Sequence, residues 1–365
     1  MELMEMGKAA AAAKTEMARL STQEKNAALQ AAAEGLLKDQ EKILSANAKD
    51  VAEGEAKGMN PGLLDRLRLN ESRVAAMAEG LRQVAALPDP IGERLERFSR
   101  PNGLVIDKIR VPLGVIGIIY ESRPNVTADA FGLCFKTGNV CILKGGSDAL
   151  HSNLAITESI RRTLKACGIC EDAISLIADT DREVTERFMR MNEYVDVLIP
   201  RGGAGLIRRV VEHSTIPVIE TGTGNCHIYV DEYADLEKAI PIILNAKTQR
   251  IGVCNACESL VIHEAVRERF LPALAARLRE KSVEMRGDER ALWAVPDMNR
   301  AAEEDYGTEY LDYILSIKTV DSLDEAIRHI NRYSTGHSDA ILTEDMERAE
   351  RFCQEVDSAC VYVNA

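Results

Sequence analysis

Leu113-Gly-Val-Ile-Gly-Ile-Ile-Tyr120 decides the fold of this chain. The run is too apolar for a strand with one wet face, so it predicts a strand buried on both sides. C-terminal to it, strand and helix patterns alternate. A helix is expected over 126–136, closed by Gly138, then a strand at 140–144 and a helix over 152–167. Strands at 174–177, 195–200 and 217–220 are separated by helices over 182–189 and 204–212. This βαβ rhythm implies a parallel sheet with helices on both faces. A second rhythm follows Cys226, with strands at 226–230, 258–263, 312–320, 338–342 and 359–363 and helices over 235–247, 264–280, 322–331 and 344–354.

N-terminal to the deciding run, segments 95–99 and 103–110 flank Arg100-Pro-Asn-Gly103, and Asn-Gly is a strong hairpin signal. The first ninety residues read as helices. Ala9 to Ala13 is strongly helix-forming, Ser21 and Glu24 have capping-box spacing, and Asp39 is expected to cap a third helix running toward Lys57. Gly58 and Pro61 break the pattern, and Ser72 is expected to open another helix that ends near Leu87-Pro-Asp-Pro90. The fold class is therefore α/β, with two Rossmann-like lobes. One lobe is drawn from 1–94 and 113–222, a β-hairpin spans 95–112, and the second lobe covers 223–365.

The bulk numbers narrow the function classes. With 365 residues, 46% of them hydrophobic, the chain is long enough for two domains. Its net charge of −13 disfavours nucleic acid as the main partner, because a phosphate backbone attracts basic surfaces. No run of 18 or more apolar residues is present, and acids stand where a signal peptide carries bases, so a cytoplasmic protein with no membrane partner is expected. Its nine cysteines are then expected to be free thiols.

Cys254, in Arg250-Ile-Gly-Val-Cys-Asn-Ala-Cys-Glu258, stands out among them. Small residues around a thiol leave room for an incoming carbonyl, and Glu220, in Ile219-Glu-Thr-Gly-Thr-Gly224, is a carboxylate that the fold can bring beside it. Nucleophilic catalysis by cysteine needs such a pair, an accessible thiol and a group that manages a proton. Val140-Cys-Ile-Leu-Lys-Gly-Gly-Ser147 ends a strand in a lysine, two glycines and a serine. Ligands of open α/β sheets bind at such carboxyl ends. Lys144 can reach a ribose hydroxyl or phosphate there, and Gly145 and Gly146 allow close backbone approach; no carboxylate follows Lys144 before Asp148, so Ser147 leaves room for the 2′-phosphate of NADP. The rival reading is an ordinary lysine at a strand end. Ile199-Pro-Arg-Gly-Gly-Ala-Gly-Leu206 places Gly202 and Gly203 before a helix, where N–H groups can meet phosphate; a tight turn explains it equally well. In Tyr120-Glu-Ser-Arg-Pro-Asn-Val-Thr127, Asn125 can donate to an oxyanion or simply cap a helix, and Arg123 can meet a substrate anion or a surface acid.

Zinc offers a reading of another class. Cys167-Gly-Ile-Cys170 and Cys254-Asn-Ala-Cys257 are both C-x-x-C, but 84 residues separate them, far beyond zinc-ribbon spacing. Cys134, Cys141, Cys226, Cys353 and Cys360 lie in apolar runs and read as small core residues. His151, His213, His227, His263, His329 and His337 form no spaced cluster and read as structural, so no metal site is expected.

Taken in order, Tyr120–Thr127, Ile142–Ser147, Pro200–Gly205, Glu220–His227, Arg250–Asn255 and His337–Leu342 resemble the aldehyde dehydrogenase superfamily along the whole chain. The nearest likeness is to its branch that reduces an acyl phosphate. The resemblance implies an NADP-binding first lobe, a hairpin used in oligomerisation and a second, catalytic lobe. It implies NADPH-dependent reduction of L-glutamate 5-phosphate to L-glutamate 5-semialdehyde and phosphate, in proline biosynthesis, by a homo-oligomer. Cys254 matches the catalytic cysteine and Asn125 the oxyanion asparagine. Lys144 matches the lysine on the adenosine ribose, and Glu220 the glutamate that activates water in hydrolytic members. Glu309, in Thr308-Glu-Tyr-Leu311, resembles the glutamate that holds the nicotinamide ribose. Gly145, Gly146, Ser147, Gly202, Gly203, Thr221 and Gly222 fall in the matching cofactor loops, with Arg123 and Arg201 as candidates for the substrate's anionic groups. The family continues past Ala365 with an Arg-Phe-Thr-Asp-Gly stretch and a tail, so part of the substrate site and an oligomerisation strand are expected to lie outside this chain. An aldehyde oxidiser that hydrolyses its thioester and a non-catalytic zinc-stabilised protein are the alternatives.

Overall fold

The structure, a computed structural model, describes residues 2–121, 123–220 and 222–365. The chain divides into two α/β units, Met1–Thr221 and Gly222–Ala365.

The first unit opens with α1 (Leu3–Met17), α2 (Thr22–Lys38), α3 (Gln40–Ala56), α4 (Pro61–Leu67) and α5 (Glu71–Ala86). The capping box of α2 forms as its spacing predicts, Ser21 and Glu24 satisfying each other's backbone N–H groups. Asp39 precedes α3 but makes no cap bond; its carboxylate accepts from Ser159 Oγ at 2.5 Å and from Arg162 instead. Asn70, not Ser72, caps α5, accepting from Arg73 N–H at 2.8 Å. The break expected at Pro61 is the first residue of α4, a position whose N–H has no helical partner to lose.

A hairpin follows, β1 (Arg94–Ser99) against β2 (Val105–Ile109), antiparallel. Its turn closes through Gly103 N–H to the Arg100 carbonyl at 2.9 Å, with Gly103 at φ +85°. Then come β3 (Val115–Tyr120), α6 (Asn125–Lys136), β4 (Val140–Lys144), α7 (Leu150–Ala166), β5 (Ile174–Leu176), α8 (Arg182–Phe188), β6 (Val197–Arg201) and α9 (Ala204–His213). The parallel sheet runs β5-β4-β3-β6. Every residue of β3 and β4 is buried, which is why the deciding run carries no polar face. The strand expected at 217–220 is only an isolated bridge, Leu198 to Val218. Leu198 donates to the Pro217 carbonyl and accepts from Ile219 N–H, both at 2.8 Å. The next donor on β6 would be Pro200, which has no N–H, so the ladder stops after one step.

The second unit contains β7 (Cys226–Val230), α10 (Leu236–Thr248), β8 (Cys257–His263), α11 (Glu264–Glu280), β9 (Glu284–Gly287), α12 (Glu289–Ala294), β10 (Asn299–Arg300), β11 (Ile314–Val320), α13 (Leu323–Tyr333), β12 (Ser338–Leu342), α14 (Met346–Glu355) and β13 (Cys360–Val363). The parallel sheet runs β10-β9-β11-β8-β7-β12-β13, with β8 buried throughout. The short elements β9, α12 and β10 leave no periodic pattern long enough to be read from sequence. Among the described residues, no helix is long and apolar enough to cross a membrane.

Candidate functional site

Cys254 lies on the loop between α10 and β8, and its side chain is exposed. The helix stops because the chain must turn into β8; Ala256 N–H donates to the Val253 carbonyl at 3.1 Å to make that turn. The neighbouring thiols differ in kind. Burial pushes Cys257 up to about 12 against the pull of Lys247, and pushes Cys226 up as well. Both stay protonated near neutrality. The Cys226 thiol spends its hydrogen on the Cys254 carbonyl at 3.2 Å, fixing the backbone under the exposed sulfur. Cys353 and Cys360, expected in the core, are exposed. α14 buries Ala349 and Phe352 and turns Cys353 outward, while Cys360 opens the edge strand β13, which has a neighbour on one side only.

The segment before β7 packs against the same loop. A Cβ built on Gly224 would lie 1.4 Å from the Cys254 carbonyl oxygen, so only glycine fits there. Gly224 N–H donates to Glu309 Oε1 at 2.8 Å, which joins the predicted cofactor glutamate to the cysteine loop through one residue. Asn225 anchors this segment from below, donating its side-chain amide to the carbonyls of Tyr306 (2.7 Å) and Tyr333 (2.8 Å). Glu258, at the start of β8, is fully buried and paired with the equally buried Lys247 at 2.5 Å. Sequence reading passed over both; the available signal was a charged residue opening an otherwise apolar strand.

In the first unit, Lys144 stands at the carboxyl end of β4 with its stem buried, and donates to the Gly145 carbonyl at 3.2 Å. Burial lowers its pKa, with Asp179 pulling the other way. A Cβ on Gly145 would meet Asn153 Nδ2 at 2.3 Å and the Tyr120 ring at 3.2 Å. Those two side chains are linked through Thr127, whose hydroxyl bonds Tyr120 (2.7 Å) and Asn153 (3.0 Å), so the turn after β4 rests on a buried polar brace. Gly146 leads into a 3₁₀ turn, Ser147–Ala149, where Ser147 is exposed.

Asn125 is the first residue of α6 and caps nothing; the cap position is Pro124. Its amide donates to Asp129 Oδ2 at 2.9 Å, and an amide nitrogen carries a second hydrogen. Gly203 precedes α9, but its N–H donates to Glu121 Oε2 at 2.9 Å, and a Cβ on Gly202 would meet the same carboxylate at 2.6 Å. A carboxylate therefore already occupies the helix terminus that the sequence offered to a phosphate. Arg201 ends β6, exposed; Arg123 is half-buried. Glu220 and Gly222 are exposed, and Thr221 lies outside the described residues. Among the described residues, no group of three or more His, Cys, Asp or Glu side chains is placed to hold a metal.

The comparisons with known proteins agree over the whole length. Residues 2–304 and 294–365 match the sequence profile of the aldehyde dehydrogenase family. A protein of Lachnospira eligens named gamma-glutamyl phosphate reductase is 57% identical over 363 residues, covering 100% of this chain and 88% of its own. One of the same name from Moorella thermoacetica is 57% identical over 365 residues, covering 100% and 87%. The crystal structure of gamma-glutamyl phosphate reductase from Thermotoga maritima superposes with a TM-score of 0.97 at 48% identity, covering 100% of this chain and 88% of that one. The propionaldehyde dehydrogenase of Rhodopseudomonas palustris, at 18% identity and a TM-score of 0.70, covering 99% and 84%, shares the fold. The chain belongs to the aldehyde dehydrogenase family and, within it, to the group named gamma-glutamyl phosphate reductase.

Proposed function

We propose that this chain reduces L-glutamate 5-phosphate to L-glutamate 5-semialdehyde and phosphate, with NADPH as cofactor, in the cytoplasmic synthesis of proline. The observation that carries the reading is Cys254: an exposed thiol on a loop whose backbone is held by Gly224 and Cys226, in a chain 57% identical to proteins named for that reduction.

The Cys254 thiolate attacks the acyl phosphate carbonyl. Asn125, through the amide hydrogen not given to Asp129, and a backbone N–H beside the cysteine stabilise the oxyanion, each such donor being worth roughly 3 kcal/mol in a preorganised site. The carbonyl reforms, phosphate leaves, and the acyl group remains on sulfur as a thioester. NADPH, when bound, supplies the hydride that reduces this thioester. The carbon–sulfur bond of the resulting thiohemiacetal then breaks, releasing the aldehyde and regenerating the Cys254 thiolate. Glu220, which activates water in hydrolytic relatives, has no water to activate in this sequence of steps.

The residues fit a dinucleotide. Lys144 is held at a strand end, where it can meet a ribose hydroxyl or phosphate, and Gly145, packed against Asn153 and Tyr120, with Gly146 forms the turn that follows it. Ser147, exposed, leaves room for a 2′-phosphate. Glu309 is fixed by Gly224 through one oxygen and offers its remaining acceptor capacity to ribose hydroxyls. Gly222 is assigned to the cofactor loops, Gly202 and Gly203 being held against Glu121, and Arg123 and Arg201 are assigned to the substrate's anionic groups. The hairpin β1–β2 supports a homo-oligomer: Leu95, Val105 and Ile109 are 45%, 54% and 52% exposed on it.

The test is the reverse reaction. The semialdehyde with NADP should give NADPH only when phosphate is added, and Cys254→Ala should abolish turnover while still binding NADP. Turnover indifferent to phosphate would assign the chain to aldehyde oxidation with thioester hydrolysis.

A further inference from the structure

The buried pair Lys247–Glu258 sits where the loop of Cys254 begins and ends. Lys247 is in the last turn of α10 and Glu258 is the second residue of β8, so the 2.5 Å bond between them closes the base of the intervening loop. Both side chains are wholly excluded from water. A fully buried ion pair is a poor source of stability, because desolvation cancels much of the attraction. That makes the second bond of the pair informative. Glu258 Oε1 accepts the backbone N–H of Leu311 at 3.1 Å, and Leu311 is one of three non-glycine residues at positive φ (+53°) among the described residues. A side chain that rarely takes this conformation is held in it two residues beyond Glu309. The remaining parts of β8 and β11 add to the brace, with Ser316 Oγ donating to the Glu258 carbonyl at 3.3 Å.

We infer that Glu258, charge-balanced by Lys247, is a positioning residue: it tethers the Glu309 loop through Leu311 and ties it to the base of the Cys254 loop, so that the nucleophile and the group that holds the nicotinamide ribose keep one fixed spacing. The chain of contacts closes on itself. Glu309 takes the Gly224 N–H, Gly224 lies against the Cys254 carbonyl, and Cys254 sits on the loop whose two ends Lys247 and Glu258 join. Burial raises the Glu258 pKa and Lys247 opposes this, while the acceptor role of Oε1 toward Leu311 N–H rests on the 3.1 Å geometry alone. The inference rests on the proposed reaction for its catalytic meaning, but the tether itself is measurable without substrate.

Two double variants separate tethering from packing. Lys247→Met with Glu258→Leu replaces the pair by apolar side chains and removes the Leu311 acceptor. Lys247→Met with Glu258→Gln is also neutral but keeps a carbonyl oxygen for Leu311. The leucine variant is expected to raise the NADPH dissociation constant and KM by about tenfold, more than it lowers kcat, whereas the glutamine variant stays within about twofold of the parent. Equal behaviour of the two variants, or parental NADPH affinity in the leucine variant, overturns the inference. Amide exchange in the unaltered protein provides a measurement that needs no variant to fold. Leu311 N–H should exchange at least about tenfold more slowly than Asp312 N–H, and exchange of Leu311 at open-loop rates refutes the tether. Nucleotide affinity that splits the variants as expected, in a protein with no phosphate-dependent turnover, sinks the proposed reaction and leaves the tether standing.

Discussion

Replacing Gly224 by alanine should inactivate the protein without unfolding it, and the structure sets the size of the effect. The new Cβ would fall 1.4 Å from the Cys254 carbonyl oxygen, 2.2 Å from its carbon and 2.6 Å from its Cα, all backbone atoms that cannot swing aside. Real Cβ atoms essentially never come within 3.0 Å of a heavy atom, so the two strands of chain must part by at least about 1.6 Å. The cysteine loop is the exposed partner of the two and yields first. Yielding separates Gly224 N–H from Glu309 as well, since that bond is 2.8 Å long and has no slack. Misplacement of a nucleophile by about 1 Å can cost about 100-fold in rate, so kcat should fall by at least that factor. Overpacking should cost about 1–3 kcal/mol of stability, which a two-unit chain of this size survives. The assay is NADPH consumption alongside urea unfolding and alkylation of Cys254 by iodoacetamide. Parental kcat in a folded Gly224→Ala protein would refute the claim that this contact sets the sulfur's position.

Four further outcomes follow from the same structure. His329 is buried against His227, Tyr306 and Tyr333, and burial, with His227 and Lys318 nearby, pushes it down to about 3. The unfolded chain protonates it below about 6.5 while the folded one does not, so stability is lost as pH falls from there, about 2 kcal/mol by pH 5; urea midpoints should show this, and His329→Phe should flatten the slope. Burial raises Asp231, but bonds from Arg348, Thr343 and Tyr229 outweigh it and hold the carboxyl below its usual range, so its contribution is present above about 3.8 and is lost as pH falls further. Arg348→Ala, which strands that fully buried carboxylate, should cost about 3–5 kcal/mol in urea unfolding. Glu121→Gln should lower the KM for NADPH a few-fold by removing an anion from the start of α9, and an unchanged or higher KM would show that the cofactor's phosphates do not approach Gly203.

The sequence carried the periodic features. β4, β12 and α11 begin and end where apolar period and punctuation put them, because a fully buried strand has to be apolar on both faces and a helix end has to satisfy its orphan donors. Cys254 was legible for a related reason: small and flexible neighbours are needed to leave a thiol accessible, and they are visible as letters. Pro217–Glu220 failed because strand propensity is a property of one segment, while a ladder needs donors on both; the missing N–H belongs to Pro200, on the partner.

What the tertiary structure alone decided is who touches whom across long separations. Gly224 and Cys254, Glu309 and Gly224, Glu258 and Leu311 are pairs that no local pattern announces. The same is true of two local surroundings: the cap position of α6 is Pro124, which sets aside the rival reading of Asn125 as a cap, and the Gly203 N–H is taken by Glu121. The physical reason is that periodicity reports how a segment divides itself between water and core. The identity of the group waiting on the other side is fixed only when the two segments are brought together, and desolvated hydrogen bonds and excluded volume then allow one arrangement.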